Sequence, residues 1–200
     1  MHGTNVEGSD EDWRGVYQSP NDDFLGLGPV KETYQTLPDI VMWELGHFIH
    51  LLLKGNPNIV GLLWAPNDCV YETSPVLGEL RDNKKLFLTL PMAYAYLGWV
   101  EQELKHGDLI ALSPKRLSHV PRLLWELEAA ILEGTLPVRA SGWHLDYLRA
   151  VRAGRPGYEY GNVADAARRL VQRLKPEIEK MPLPPFGFAE QVLLRARNAR

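Results

Sequence analysis

The pattern of apolar and polar residues divides the chain into two parts. The first 40 residues are rich in Gly, Asp, Asn and Pro, and short apolar pieces occur at Val16-Tyr17 and Phe24-Leu25. This pattern predicts turns around one or two short strands. The compact apolar run Asp39-Ile40-Val41-Met42-Trp43 follows, and Pro38 before it suits the start of another strand.

After Trp43 the apolar residues take helical spacing. Gly55-Asn56-Pro57 ends the first such helix, and Asn58 is predicted to cap a short helix that runs through Trp64. Cys69-Val70-Tyr71 predicts one more short strand. The apolar stripe of the first helix consists of Leu45, Phe48, Ile49 and Leu52.

From Pro75 onward the pattern is mostly helical. In the clearest helix Ser113 is a suitable cap and Pro114 occupies a position where proline is tolerated, while Pro121 predicts a kink or a shifted start. The predicted helices cover residues 76–86, 91–106, 114–133, 143–153, 160–180 and 187–198. We therefore expect an α+β fold, with a small mixed sheet in residues 1–74 and a helical region in residues 75–200.

Composition narrows the classes of protein that fit. With 45% hydrophobic residues among 200, the chain can bury a core, and a net charge of −3 predicts no broad electrostatic grip on nucleic acid. The single cysteine, Cys69, excludes a disulfide framework and a multi-cysteine zinc site. No apolar run approaches the roughly 20 residues of a membrane span, and Met1-His2-Gly3-Thr4-Asn5 lacks the features of a signal peptide. We expect a cytoplasmic protein without membrane contact.

The candidate chemistry centres on carboxylates. Asp10 and Asp12 are two residues apart and lead into Trp13-Arg14-Gly15-Val16-Tyr17, so on an extended backbone they point to one face. Such a pair can bind Mg²⁺, although Asp-x-Asp alone is also typical of a solvated turn. Asp39 opens the next strand-like run, and three carboxylates on adjacent strands would allow a two-metal site for phosphoryl transfer.

These motifs resemble the DNA polymerase beta-like nucleotidyltransferase superfamily, and more closely the bacterial and phage family of predicted nucleotidyltransferases linked to RNA repair. The resemblance runs in order along most of the chain. It is carried by His2-Gly3-Thr4, Ser9-Asp10-x-Asp12-x-Arg14-Gly15-Val16-Tyr17, Phe24-Leu25-Gly26-Leu27, Asp39, Trp43-Glu44-Leu45, Lys54-Gly55-Asn56-Pro57-Asn58, Leu62-Leu63-Trp64, Lys115, His119, Arg122-Leu123 and Val151-Arg152-Ala153-Gly154.

The resemblance implies roles for these residues. Asp10 and Asp12 would bind Mg²⁺ or Mn²⁺, and Asp39 would be the third carboxylate, which activates an attacking hydroxyl. The implied reaction transfers a nucleoside monophosphate from a nucleoside triphosphate to an acceptor hydroxyl, on RNA or another polynucleotide end, with release of pyrophosphate. The residues expected to bind nucleotide or substrate are Arg14, Lys54, Lys115, His119, Arg122 and Arg152.

One element of the superfamily pattern is absent from the sequence. A Gly-Ser pair at a helix start normally lies upstream of the acids and holds the triphosphate. Here the chain begins at Met1-His2-Gly3, and Gly8-Ser9 lies too close to Asp10 to replace the pair. We therefore expect that an N-terminal strand and its Gly-Ser turn are missing. Two functions fit this sequence: an active nucleotidyltransferase, or a catalytically inactive nucleotide- or RNA-binding module of the same fold.

The basic candidates have structural alternatives. Lys115, His119 and Arg122 fall on one helical face, which suits a cationic strip or, equally, a solvated face with salt bridges to Glu126. Lys54 can complement a helix C-terminus instead of a nucleotide. A group of arginines near Tyr158 and Tyr160 could bind a single-stranded nucleic acid, although ordinary helix-end arginines explain it nearly as well. The group consists of Arg149, Arg152 and Arg155.

Two further sets of residues have a default structural interpretation. Glu44, His47 and His50 have a spacing that loosely resembles a helical metal site, but His50 is rotated away from Glu44, so structural histidines are the alternative. The tryptophans are expected to pack in the core rather than to stack on bases, and they are Trp43, Trp64, Trp99, Trp125 and Trp143.

Overall fold

Three short strands form a mixed sheet near the start of the chain. The strands are β1 (Trp13–Tyr17), β2 (Thr33–Leu37) and β3 (Ile40–Glu44), in the order β1-β3-β2. β3 lies in the centre, parallel to β1 and antiparallel to β2. The structure is a computed structural model that describes residues 3, 12–37, 39–110 and 112–199.

The strands at β1 and β3 were predicted from their apolar runs, and both are confirmed. The pattern did not single out β2, because its sequence Thr-Tyr-Gln-Thr-Leu is largely polar. Phe24-Leu25, expected as part of a strand region, belongs to the short helix α1 (Asn21–Leu25). Pro20 precedes that helix, and two aspartates in its first turn favour a helix N-terminus over a strand.

Helices make up most of the remaining chain. The expected helical region is confirmed, with ends close to those that the sequence predicts. The helices are α2 (Leu45–Leu53), α3 (Pro57–Leu63), α4 (Pro75–Asp82), α5 (Leu90–Leu109), α6 (Pro114–Leu117), α7 (His119–Glu133), α8 (Gly142–Arg152), α9 (Tyr160–Ile178) and α10 (Phe186–Asn198), with 3-10 turns at Asn67–Cys69 and Lys84–Phe87.

Three local predictions need correction. Asn56, not Asn58, caps α3, because Pro57 takes the first helical position and the Asn56 carboxamide oxygen accepts from the Asn58 amide at 3.0 Å. The strand expected at Cys69-Val70-Tyr71 is a 3-10 turn followed by extended chain. The helix expected at 76–86 ends at Asp82, and the 3-10 turn continues from Lys84.

The helix predicted over 114–133 is divided at Ser118. α6 ends at Leu117 and α7 begins at His119, so Pro121 falls in the first turn of α7, where proline costs no hydrogen bond within the helix. This confirms the shifted start. Gly134 ends α7 in the left-handed conformation with φ at +63°.

A continuous apolar core connects the sheet to the helices. α5 packs on α7 and α9, and α10 returns to pack on α2 and α4. The largest buried side chains, Tyr96, Phe48 and Phe87, belong to a cluster of buried residues that runs from α2 to α10. The α+β class is therefore confirmed, whereas the division at residue 74 stays a prediction. Among the described residues, no helix combines the length and apolar character that crossing a bilayer requires.

Candidate active site at the acidic sheet edge

Asp12 and Asp39 occupy equivalent positions on neighbouring parallel strands. Each precedes the first residue of its strand, and those first residues, Trp13 and Ile40, are register partners. The Trp13 amide donates a hydrogen bond to the Asp39 carbonyl oxygen at 2.6 Å, so the ladder already begins at this pair. The two aspartates therefore lie side by side at the end of the sheet where β1 and β3 begin, which we call the acidic edge.

Both aspartates lie on the face of the sheet that meets the helices. Side chains alternate along a strand, so Asp12 shares its face with Val16, and Asp39 shares its face with Trp43. Val16 and Trp43 are register partners and pack against the apolar core. Asp12 is exposed and Asp39 is half-buried, which leaves their carboxylates accessible at the rim of that core.

This edge provides ligands suited to a hard divalent cation. Mg²⁺ is commonly bound by one or two carboxylates together with phosphate oxygens of the substrate. Asp12 and Asp39 supply two carboxylates, while Asp10, the other predicted ligand, lies outside the described residues. Across residues 12–37, 39–110 and 112–199, no cluster of three or more acidic, histidine or cysteine side chains suits a metal ion.

The segment from Asp68 to Tyr71 contacts the strand that begins at the acidic edge and also the loop before α8. Trp13, next to Asp12, packs edge-on against Tyr71 with ring centroids 5.7 Å apart. Near Tyr71, the carboxylate of Asp68 accepts two hydrogen bonds from Arg139, at 2.9 and 3.0 Å. Arg139 also lies 3.0 Å from the Cys69 sulfur. This bidentate pair holds the pKa of Asp68 below its usual range and fixes the Arg139 guanidinium in place.

Gly3 belongs to the same neighbourhood. A Cβ atom built on Gly3 would lie 3.5 Å from the Ala140 carbonyl oxygen and 3.6 Å from Cγ of Arg139. The glycine of the predicted His2-Gly3-Thr4 motif therefore approaches the loop before α8. The remaining residues of that motif lie outside the described residues.

Arg139 lines a small cleft, and a buried ion pair forms another part of its lining. Arg122 donates to Glu126 at 2.7 Å across one turn of α7, and the two side chains are 17% and 4% exposed. Burial raises the pKa of Glu126, and the neighbouring Arg122 charge partly offsets this effect. The cleft has a volume of about 50 Å³ and is lined by Arg122, Trp125, Glu126, Pro137, Arg139, Ala140, Ser141 and His144.

Positive charges act on His119 at the start of α7. Burial, together with the positive charges of Arg122, Arg152 and Lys115, lowers the pKa of His119 to about 4, while the charge of Glu103 opposes them. His119 is therefore neutral at pH 7. The structure brings together four of the six residues predicted to bind nucleotide or substrate.

The other two predicted residues lie elsewhere. Arg14 is exposed on β1, two residues after Asp12 and on the same face of the sheet. Lys54 is exposed at the C-cap of α2, where Gly55 lies against the backbone of Met92 in α5. No contact links Lys54 to the acidic edge in the part of the chain that the structure describes.

Glu44, His47 and His50 do not form a metal site. The Glu44 carboxylate accepts from Arg197 at 2.6 Å and from the Gly46 amide at 2.7 Å, so it caps α2 and pairs with α10. His47 lies 3.5 Å from Glu32, and His50 is exposed. The structural interpretation is therefore correct for this group.

The tryptophan prediction was wrong for part of the set. Trp143 is 64% exposed and Trp99 is 42% exposed, so neither is packed in the core. Trp125 packs edge-on against Trp143, with centroids 5.0 Å apart, and its ring centroid lies 4.3 Å from that of His144. These residues were predicted to lie in the core because they fall in apolar stripes. A stripe pattern does not show which of its residues a neighbouring helix covers.

Several residues of this site were not predicted. Arg139, Asp68 and His144 come from separate turns and helix starts, and no sequence spacing connects them. Glu126 was predicted as a salt-bridge partner of this helical face, and its pair with Arg122 is confirmed, while Trp125 follows Arg122 at three residues on the same helix.

Comparison with known families places the whole arrangement in context. The model of the RNA repair pathway DNA polymerase beta family matches residues 1–142 of the 200. The chain belongs to this family. The predicted resemblance is thereby confirmed, and the membership supports a function of the nucleotidyltransferase type.

The matched range contains the sheet, both acidic residues at its edge, and helices α1 to α7. It also contains Lys115, His119, Arg122 and Arg139, whereas Arg152 lies beyond it. No curated protein and no solved structure matches the chain.

Proposed function

We propose that this chain is a metal-dependent nucleotidyltransferase that transfers a nucleoside monophosphate from a nucleoside triphosphate to a hydroxyl at an RNA end. The observation that carries the proposal is the side-by-side placement of Asp12 and Asp39 at one edge of the sheet. This edge lies within the part of the chain that matches the family.

The step balances without a further reactant. The acceptor oxygen forms a bond to the α-phosphorus, the bond from that phosphorus to the bridging oxygen breaks, and pyrophosphate leaves. Asp39 takes the hydroxyl proton, while Asp10 and Asp12 bind Mg²⁺ or Mn²⁺. When bound, the cation supplies charge stabilisation to the phosphate oxygens.

The cationic group around His119 is suited to the charge of the substrate. Lys115 and Arg152 lie near one neutral histidine and carry positive charges that suit phosphate groups, while the charge of Arg122 is paired with Glu126. Arg14 lies on the same sheet face as the acids. In this proposal these residues orient the triphosphate or the acceptor backbone, and they take no part in bond making.

The direct test is transfer of label from an α-labelled nucleoside triphosphate to an RNA oligonucleotide in Mg²⁺. Asp12→Asn and Asp39→Asn should each reduce labelling at least 100-fold, as loss of a group that acts in phosphoryl transfer does (about 10²–10⁴-fold). Asp22→Asn, which changes an exposed acid in α1, is the matched control and should label as the wild type does.

Thermal melting would show whether the variants fold. Both substituted sites are accessible, so their melting temperatures should stay close to that of the wild type. Labelling by Asp12→Asn at the wild-type rate would exclude the proposal. Binding of the magnesium–nucleotide complex by calorimetry, without any transfer, would instead establish the inactive binding module.

A further inference from the structure

The seam between α7 and α8 has two chemically different ends. The aromatic end consists of Trp125, Trp143, His144 and Tyr147, whose rings contact one another. The cationic end consists of Lys115 and Arg152, whose charges act on the neutral His119. Arg122 lies between the two ends, three residues from both His119 and Trp125 along α7.

Packing of the helices fixes this polarity. Trp125 of α7 contacts residues in the first half of α8, while Leu117 of α6 packs with Val151 near the end of α8. The start of α7 therefore lies beside the end of α8. Six residues separate His119 from Trp125, which corresponds to about 9 Å along the helix.

The aromatic end is exposed to an extent that packing does not explain. Trp143 is 64% exposed although its indole is apolar, and it stands at the first turn of α8. The Trp143 and His144 rings lie 3.8 Å apart with an angle of 39° between their planes, so they form a tilted stack that leaves indole surface open. Burial lowers the pKa of His144, which keeps its imidazole neutral at pH 7.

An exposed indole, with the cationic end of the same seam about 9 Å away, matches the chemistry of an unpaired nucleic acid strand. Bases stack on aromatic side chains whatever their identity, and phosphates bind the neighbouring positive charges. An acidic peptide would use the cations but would leave the indoles in water. A duplex would conceal its base faces from the rings.

The size of the cleft distinguishes a strand from a free nucleotide. Pockets that enclose small ligands have volumes of about 300–1,000 Å³, whereas the cleft beside Trp125 and Arg139 has about 50 Å³. It cannot enclose a nucleoside triphosphate. The two ends of the seam instead stand about 9 Å apart along α7, which suits a base at one end and a phosphate at the other.

We propose that the α7–α8 seam binds an unpaired polynucleotide strand, with a base stacked on Trp143 and phosphates held at the cationic end. This inference rests on the proposed function, since it identifies the seam as the acceptor site. The Trp13–Tyr71 contact at the acidic edge and the Asp68–Arg139 pair at the cleft involve residues only three apart along one segment of the chain.

The test measures binding of a fluorescein-labelled ten-nucleotide uridine RNA by fluorescence anisotropy at 50 mM salt. Trp143→Ala should weaken binding by about 5- to 20-fold, which is the loss expected for one stacked base. Trp99→Ala removes an exposed indole of α5 and is the matched control. It should bind as the wild type does, and the same RNA in a duplex should bind more weakly to both.

Three comparisons complete the test. Trp143→Tyr keeps an aromatic face and should restore most of the binding. A deoxyuridine strand that binds more weakly would identify RNA as the ligand, and equal binding would extend the site to any unpaired strand. Wild-type affinity in Trp143→Ala, or duplex binding as tight as single-strand binding, would overturn the proposal.

The two proposals fail in different ways. If the wild type labels RNA but Trp143→Ala binds the strand unchanged, the acceptor site lies elsewhere and the nucleotidyltransferase proposal stands. If Trp143 is required for strand binding but no nucleotide is transferred, the seam stands as a binding site and the catalytic proposal fails. Asp12→Asn should retain strand binding in either case.

Discussion

Glu44 and Arg197 form a buried ion pair between the end of the sheet and the last helix. Arg197 Nη2 lies 2.6 Å from Glu44 Oε1, and the two side chains are 16% and 4% exposed. The other carboxylate oxygen of Glu44 accepts from the Gly46 amide at the start of α2. One buried carboxylate therefore joins β3, α2 and α10, which come from opposite ends of the sequence.

Arg197→Met should destabilise the fold substantially. It leaves Glu44 buried without its counter-ion, and breaking such pairs costs about 3–5 kcal/mol. Arg195→Met removes the neighbouring exposed partner of Glu79 and should cost less than about 1 kcal/mol. Urea unfolding would give both free energies, and equal losses would show that the Glu44–Arg197 pair is not important for stability.

The Arg122–Glu126 pair should behave as a coupled unit. Arg122→Met leaves a buried carboxylate whose pKa burial already raises, and we expect a loss of about 3 kcal/mol. Arg122→Met combined with Glu126→Leu replaces both charges with apolar groups and should recover most of that loss. Urea unfolding of the single and double variants measures the coupling, and additive losses would contradict it.

His119 should make the fold sensitive to acid. The unfolded chain protonates this histidine near pH 6.5, whereas the folded protein keeps it neutral down to a pKa of about 4. As pH falls from 7 to 4, the unfolded state therefore takes up a proton that the folded state does not, and stability decreases.

His119→Gln removes this proton uptake. The melting temperature of the variant should decrease less between pH 7.0 and 4.5 than that of the wild type. His50→Gln changes an exposed histidine and should follow the wild-type profile. Parallel profiles for the wild type and His119→Gln would show that His119 titrates normally in the folded protein.

Two glycines with similar backbone angles should differ in their tolerance of alanine. Gly55 has φ of +70°, and a Cβ atom there would lie 2.1 Å from Cα of Met92. Gly134 has φ of +63°, with no atom within 4 Å of such a Cβ among the described residues. Gly134→Ala should cost about 1–2 kcal/mol for the left-handed conformation alone.

Gly55→Ala adds a steric overlap with backbone, so its cost should exceed about 3 kcal/mol. Thermal or urea unfolding compares the two variants directly. Equal losses would show that α5 moves away from α2 at little cost.

The sequence predicted the elements whose signals are local. The apolar runs at β1 and β3, the stripe of α2 and the Ser113 cap of α6 all appear close to the expected positions. β2 was not identified, because its residues are polar and its pairing with β3 is not local. Asn56 was missed as the α3 cap in favour of Asn58, since both asparagines flank Pro57.

The candidate site was predictable in part. Asp12, Asp39 and the grouping of Lys115, His119 and Arg122 followed from spacing and from the resemblance, although Ser118 divides the helix on which the three basic residues were expected. The contribution of Arg139 and of the exposed Trp143 did not, because each depends on contacts with helices far away in the sequence. A hydrophobic residue in a stripe looks the same whether a neighbour covers it or not.

By itself, the sequence determined the α+β class, the acidic motif and the family to which the chain belongs, because strand alternation, helical period and ordered motifs are properties of neighbouring residues. The tertiary structure alone decided that Asp12 and Asp39 lie side by side, that Glu44 binds Arg197, and that α7 and α8 form one seam. These relationships depend on strand register and helix packing, which the burial of distant residues against one another determines.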